Sequence, residues 1–415
     1  MSNVPKLRFS EFRGANDWEE ITLVKLATFR RGSFPQPYGL PEWYDDENGV
    51  PFVQVFDVSD DMRLKATTKR KISAAAAEKS IFIAKGTLIV TIQGSIGRVA
   101  ITQYDAYIDR TLLLFKSFYK PTELFFLSYV IQNLFEIEKK KAPGGIIKTI
   151  TKEVLSSFLV KLPSLQEQQK IANCLSSIDT LITAQTQKLD TLKAHKKGLM
   201  QQLFPATGET IPKRRFPEFR DAGDWEEKVL GDVMKFTGGG TPSKSNTSYW
   251  GGDNPWISSS DISEESIFNL NIHKYISEKA IQESATKIVP ANSILLVSRV
   301  GVGKLAITNQ QICTSQDFTN LTPVFDDLIF MAYLLKTKTS VFFAFNQGMA
   351  IKGFTKDDVV TLRILLPIKE EQQKVANCLS SIDDLITAQT QKIESLKAHK
   401  KGLMQQLFPA SEEMA

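Results

Sequence analysis

The 415-residue sequence contains few cysteines, few histidines, no long apolar run and little net charge. Three cysteines cannot build a disulfide framework, so a reducing, cytoplasmic location is expected. Apolar runs such as Leu124 to Ile131 are too short to span a membrane, and the first residues lack the layout of a signal peptide. A formal charge of +5 is too small to indicate a polyanionic partner by itself.

Residues that perform chemistry are equally scarce. His195 and His399 occupy one position of an internal repeat, which leaves His273 unduplicated, and no cysteine has zinc-ligand spacing. We therefore expect no metal site and no catalytic residue in this chain. One alternative stays open, because Glu138-Lys139-Lys140 fits the carboxylate-x-lysine element of many nucleases and would make the chain itself an enzyme.

The most informative feature that is present is an internal duplication. Residues 163–206 recur as 367–410 at a constant offset of 204, with 36 of 44 aligned positions identical. A second signature, beginning Pro5-Lys6-Leu7-Arg8-Phe9, recurs from Pro212 and leads in both copies to an Asp-Trp-Glu-Glu sequence. The residues between these shared ends diverge. A common frame with different contents suggests two modules that recognise different things.

This pattern predicts four parts, which are residues 1–162, 163–206, 207–366 and 367–415. The first and third are expected to be mixed α and β modules, because short β-branched runs such as 86–92 and 293–297 alternate with glycine and proline. The second and fourth are expected to be long helices. The fold class is therefore predicted as α+β, with two mixed modules joined by two helices that form an antiparallel coiled coil with internal pseudo-twofold duplication.

The repeated helix carries its apolar residues on a seven-residue grid. Gln185 and Lys196 interrupt this grid, as Gln389 and Lys400 do in the second copy. Antiparallel pairing with full overlap would place Gln185 opposite Ile393. The alternative is that each helix packs only on its own module. The residues expected to pair the helices are Ile171, Leu175, Ile178, Ile182, Gln185, Leu189, Leu192, Leu199, Leu203, Val375, Leu379, Ile382, Ile386, Gln389, Ile393, Leu396, Leu403 and Leu407.

Glycine-rich and basic loops of the modules are candidates for DNA contacts. A glycine turn followed by a cation lets backbone N–H groups and a positive charge approach phosphate, and Arg, Lys, Ser and Thr can bond base edges. The alternative is an ordinary hairpin turn with a solvated charge. The candidate residues are Arg30, Arg31, Ser33, Gly94, Ser95, Arg98, Gly240, Thr241, Ser243, Lys244, Arg299 and Lys304.

Taken together, these features resemble the specificity subunit of type I restriction-modification systems. The resemblance covers essentially the whole chain and rests on the Leu162-Pro163 run into Glu167-Gln168-Gln169-Lys170, the repeated helix ending Leu203-Phe204-Pro205, and the module starts at Trp18 and Trp225. The second module adds Gly239-Gly240-Thr241-Pro242-Ser243, where the first module instead has Arg31-Gly32-Ser33-Phe34-Pro35.

The resemblance implies a subunit that recognises double-stranded DNA without catalysing a reaction. Each module would read one half of a bipartite, asymmetric site, and the helices would set the spacing and dock two methyltransferase subunits. Two restriction and translocase subunits would complete the complex. S-adenosylmethionine, ATP and Mg²⁺ would belong to these partners, and no cofactor is expected in this chain. A stand-alone DNA-binding regulator or a protein scaffold remains the alternative outside this family.

Overall fold

The computed structural model describes residues 3–141, 150–345 and 353–409, without the side chains of 139–141. The chain forms two compact units. The first unit comprises Met1–Gln187 and Gln391–Ala415, and the second comprises Lys188–Thr390. Each unit therefore combines one module with a segment of each long helix, a grouping that cuts across the four parts of the sequence.

In the first unit, short strands and several helices precede the first long helix. The strands are β1 (Glu19–Thr22), β2 (Ala27–Arg31), β3 (Val50–Val53), β4 (Arg70–Ile72), β5 (Ile81–Ile83), β6 (Leu88–Thr91), β7 (Val99–Ile101), β8 (Ala106–Ile108), β9 (Leu112–Phe118) and β10 (Leu159–Leu162). The helices are α1 (Leu23–Leu26), α2 (Ala74–Lys79), α3 (Leu124–Lys141), α4 (Lys152–Ser157) and α5 (Leu165–Leu203).

The second unit repeats this order, with two helices in the place of α3. Its strands are β11 (Glu226–Val229), β12 (Met234–Gly238), β13 (Trp250–Ile257), β14 (Lys274–Ile276), β15 (Ile288–Val289), β16 (Ser293–Val297), β17 (Leu305–Thr308), β18 (Ile312–Thr314), β19 (Phe318–Pro323) and β20 (Arg363–Leu366). Its helices are α6 (Leu230–Val233), α7 (Glu278–Glu283), α8 (Leu328–Thr337), α9 (Thr339–Phe345), α10 (Lys356–Val360) and α11 (Lys369–Leu407).

Within the described residues, each module forms two four-stranded sheets and one two-stranded pair. In the first module the sheet orders are β2-β9-β6-β7 and β4-β3-β8-β5, and β1 pairs with β10. The second module has the same orders, β12-β19-β16-β17 and β14-β13-β18-β15, with β11 paired to β20. The pairing is antiparallel except between β3 and β8 and between β13 and β18. The diverged sequences therefore share one topology.

The two predicted apolar runs form central strands for a clear physical reason. All four residues of β6 and all five of β16 are buried, so each strand packs on both faces. β-branched Ile and Val side chains suit this pleated, two-sided environment.

The predicted long helices are α5 and α11, which have 39 residues each. Pro163 precedes α5 and Pro205 follows it, as expected for a residue that cannot continue a helix. In the first unit, Ile171 and Leu175 of α5 share a core with Leu407, the last residue of α11, and with Phe408, which follows it.

The second unit has the reciprocal arrangement, in which the end of α5 meets the beginning of α11. There, Leu199 and Leu203 of α5 share a core with Val375 and Leu379 of α11. Within each unit, the beginning of one helix therefore packs on the end of the other, which is antiparallel pairing. The predicted fold class is confirmed.

Candidate nucleic-acid interface

A buried glutamate on the long helix anchors the start of each module. Both carboxylate oxygens of Glu167 accept hydrogen bonds from Arg8, at 2.8 and 2.7 Å, and the Trp18 indole N–H donates to it at 3.3 Å. The hydrogen bonds that Arg8 donates to Glu167 are the main cause that raises the pKa of Arg8. Because the ion pair is buried and bidentate, it fixes the N-terminal segment on the helix.

The second unit contains the same anchor. Arg215 donates to both oxygens of Glu371, at 2.8 and 2.6 Å, and the Trp225 indole donates at 3.4 Å. The repeated Arg-Phe and Asp-Trp signatures of the sequence therefore have a structural cause. They preserve one attachment of module to helix in both halves.

The lysines that interrupt the apolar grid belong to a second duplicated network. In the first unit, Asp179 accepts a hydrogen bond from the Tyr129 hydroxyl at 2.6 Å and forms an ion pair with Lys400 at 2.6 Å. The Lys400 ammonium also lies 5.1 Å from the centre of the Tyr129 ring. Burial is the main cause that raises the pKa of Tyr129, and its hydrogen bond to Asp179 adds to the shift.

The corresponding network of the second unit joins Tyr333, Asp383 and Lys196. The hydroxyl of Tyr333 donates to Asp383 at 2.5 Å, and Lys196 donates to both carboxylate oxygens at 2.6 and 2.7 Å. Full overlap of the antiparallel helices, as expected from the sequence, would place Asp179 opposite His399. In the structure, Asp179 forms its ion pair with the adjacent residue, Lys400. Each network connects a module helix, α3 or α8, to both long helices.

The expected helix-pairing residues are all buried or half-buried. Gln389 is 6% exposed, whereas its duplicate Gln185 is half-buried. By contrast, Leu181 and Leu385 lie off the grid and are 41% and 56% exposed. The set as a whole remains a prediction for pairing, since burial alone does not identify the partner of each residue.

The two glycine turns predicted from the sequence are equivalent in structure. One joins β6 to β7 and the other joins β16 to β17, both antiparallel pairs. Gly97 has φ +83° and Gly303 has φ +82°, which favours glycine at both positions. The Gly97 N–H donates to the Thr91 carbonyl, and the Gly303 N–H donates to the Val297 carbonyl. The two turns are therefore closed by equivalent backbone hydrogen bonds.

The cations that follow these turns are engaged within their own modules. Arg98 forms an ion pair with Asp60 at 2.8 Å and donates to the Val58 carbonyl at 3.2 Å. Lys304 forms the corresponding pair with Glu264 at 3.1 Å. These bonds hold a neighbouring loop onto the turn. The more accessible groups of the two turns are Gly94, Ser95 and Arg299, which are exposed.

The candidate residues at the end of β2 and in the segments after β2 and β12 divide into structural and exposed groups. The Gly240 carbonyl accepts from the Trp256 indole at 3.0 Å and from Thr286 at 3.2 Å, so Gly240 has a packing role. Ser33 donates to the Lys79 carbonyl at 3.2 Å.

Arg30, Arg31, Ser243 and Lys244 form the exposed group. Ser243 is hydrogen-bonded to Ser245 at 2.9 Å. No hydrogen bond or ion pair to a described residue engages the side chains of Arg30, Arg31 or Lys244. These three cations therefore remain candidates for contacts with phosphate.

Two loops that the sequence did not indicate lie beside these segments, 109–111 in the first unit and 315–317 in the second. The Ser33 N–H donates to Ile108, and the Gly240 N–H donates to Thr314, at the strand end just before each loop. A Cβ added to Gly32 or Gly239 would collide with a carbonyl of Asp109 or Ser315. The one available signal was a glycine at this matched position, but the loop it touches is more than 70 residues away.

The described residues offer neither a metal site nor a single membrane-spanning helix. Within residues 3–141, 150–345 and 353–409, no group of three His, Cys, Asp or Glu side chains is placed to hold a metal ion. Among the same residues, no single helix is both long and apolar enough to cross a membrane, although α8 and α9, which are bent by 56° at their junction, together have the necessary length and composition. Glu138 lies in α3, but the side chains of Lys139 and Lys140 fall outside the described residues.

Comparison with known families identifies this arrangement. The model of the type I restriction modification DNA specificity domain matches the chain twice, over residues 15–194 and 222–398. The chain belongs to this family. The specificity-domain family thus accounts for both modules and for most of both long helices.

Individual relatives agree with the assignment to the specificity family. The MjaIX specificity subunit of Methanocaldococcus jannaschii is 38% identical over 182 residues, which cover 42% of this chain and 41% of that relative. The putative MjaX specificity subunit of the same organism is 26% identical over 387 residues, covering 88% and 87%. The crystal structure of a type I system S subunit from M. genitalium has a TM-score of 0.63 at 15% identity, covering 98% of this chain and all of that one. At 15% identity, the likeness to that structure shows a shared fold and nothing further.

Proposed function

We propose that each module of this DNA-specificity protein reads one half of a bipartite, asymmetric site in double-stranded DNA. The observation that carries the proposal is the contrast within the duplication. Both units keep the same Arg–Glu–Trp anchor, the same Tyr–Asp–Lys network and the same sheet order. The exposed side chains on matching loops differ. A shared frame with different contact residues suits two readers of different sequences.

The long helices are proposed to set the number of base pairs between the half-sites. A helix of 39 residues is about 58 Å long, which exceeds one turn of B-DNA at about 34 Å. The buried anchors and networks support this role, because they hold each module on defined residues of the helices. The number of helical residues between the attachment points then determines the spacing of the half-sites.

The chain is proposed to provide recognition and no catalysis. Two methyltransferase subunits would dock on the helices, and two restriction and translocase subunits would join them. S-adenosylmethionine, ATP and Mg²⁺ would be bound by those subunits. The support comes from the family and from the relatives named as specificity subunits of restriction enzymes. The modest charge of +5 suggests that strong DNA binding depends on the partners.

The test is co-expression with the methyltransferase subunit of the same system, followed by genome-wide mapping of methylated adenines by single-molecule sequencing. We expect one split motif with a fixed spacer. A stable complex that methylates no split motif would contradict the proposal. The control is the methyltransferase expressed without this chain, for which we expect no sequence-specific methylation.

A further inference from the structure

The loops 109–111 and 315–317 occupy the same place in the two units. Each follows the strand that pairs in parallel at the centre of its sheet, β8 or β18, and leads into β9 or β19. Each also packs against the segment that follows β2 or β12, where the candidate residues Ser33 and Gly240 lie. The duplication therefore presents one loop twice, with Asp109-Arg110-Thr111 in the first unit and Ser315-Gln316-Asp317 in the second.

Side chains of the flanking residues hold each loop in place. Asp109 is 2% exposed, and one carboxylate oxygen accepts from the Thr111 N–H at 2.9 Å and from its hydroxyl at 2.5 Å. The other oxygen accepts from Tyr38 at 3.3 Å. In the second unit, Ser315 donates to the Asp317 carboxylate at 3.2 Å and accepts from the Asp317 N–H at 3.3 Å. Both loops are thus fixed, and the residue between the flanking pair is exposed.

The exposed residue differs between the units. The Arg110 guanidinium lies 5.2 Å from the centre of the Tyr38 ring, and no described residue forms a hydrogen bond or ion pair with it. Tyr38 is itself held by a hydrogen bond from Gln54 at 2.7 Å. In the second unit, the Gln316 side-chain oxygen accepts from Thr241, and its amide nitrogen has no acceptor among the described residues. Each planar group is positioned by a neighbour while its donors remain available.

These two side chains are well suited to reading base edges. Arginine donates two hydrogen bonds to guanine, and glutamine pairs with adenine through one donor and one acceptor. Arg98 and Lys304 differ from them, because carboxylates of their own modules already engage those cations. Neither Arg110 nor Gln316 has a carboxylate partner to give up on meeting a base, and the Gln316 oxygen, which accepts from Thr241, keeps a second lone pair for the adenine amino group.

We propose that Arg110 and Gln316 are equivalent base-reading positions, Arg110 for a guanine in one half-site and Gln316 for an adenine in the other. This inference rests on the proposed function, since it assigns residues to the two readers. Substituting either residue should change the recognised base in one half-site. The other half-site and the spacer should stay as they are.

The experiment compares Arg110→Gln with the unchanged chain, each co-expressed with its methyltransferase subunit, by mapping methylated motifs. Because one good bidentate pair discriminates by about 1 to 3 kcal/mol, methylation of the original motif should fall about 5-fold to 150-fold relative to motifs with a substituted base. Lys85→Gln is the matched control. It removes an exposed cation near Asp105, at the opposite end of β8, and should leave the motif unchanged.

Gln316→Arg provides an independent second variant, which should change a base in the other half-site. The inference is overturned if both variants keep the original motif. It is also overturned if methylation falls equally at all sites, because that result indicates a phosphate contact. Failure of the proposed function would look different, since even the unchanged chain would then direct no split motif.

Discussion

Removing the carboxylate of Glu371 should destabilise the second unit severely. The side chains of Arg215 and Glu371 are 7% and 1% exposed, so the pair is almost completely removed from water. Glu371→Ala leaves the arginine charge buried without its partner and the Trp225 N–H without an acceptor. Breaking one member of a buried pair in this way costs about 3 to 5 kcal/mol. The neighbouring Glu370 is exposed, and Glu370→Ala should cost less than about 1 kcal/mol through the helix dipole alone.

The assay is hydrogen exchange of backbone amides, because it measures the opening free energy of each unit separately. Amides of β20 and of the first turns of α11 should lose protection in Glu371→Ala, while those of the first unit serve as an internal reference. The double variant Arg215→Met with Glu371→Leu should recover much of the loss, since no unpaired charge remains. If Glu371→Ala exchanges like Glu370→Ala, the proposed importance of the anchor is refuted.

Two further predictions concern the helices and the glycine turns. Removing residues 184–190 together with 388–394 keeps both Tyr–Asp–Lys networks. Since seven residues span about 10 Å of helix, the deletion should shorten the spacer between the two DNA half-sites by about three base pairs. A change in the bases of either half-site of the methylated motif would contradict this. Gly97→Ala should lower the free energy of unfolding by about 1 to 3 kcal/mol, because a Cβ would collide with the Phe135 ring. Gly86→Ala is the control, since Gly86 has a similar φ but open space around it. Equal unfolding midpoints of the two variants would contradict the collision.

Most of the architecture could be predicted from the sequence, because duplication and heptad periodicity are properties that a single chain displays. The runs 86–92 and 293–297 contain β6 and β16, and the prolines at 163 and 205 flank α5. The lysines within the grid could be recognised as exceptions but not explained. Their acidic partners, Asp383 for Lys196 and Asp179 for Lys400, lie about 200 residues away in the sequence.

The loops with candidate DNA contacts are harder to predict from the sequence, since exposure depends on folded geometry. Arg98 and Lys304 follow glycine turns, as expected for phosphate contacts, yet ion pairs with Asp60 and Glu264 already engage them. No pattern in the sequence indicates Arg110, because its loop lies beside the segment after β2 only in the folded chain. Sequence patterns thus located the frame, whereas the available side chains had to be read from the structure.

The most direct test of the central claim is exchange of one module. Residues 21–162 would be replaced by the corresponding module of another member of the family, and methylated motifs would be mapped after co-expression with the methyltransferase subunit. We expect that one half-site changes while the other half-site and the spacer length stay the same. A change in both half-sites would contradict the claim that two independent readers share one frame.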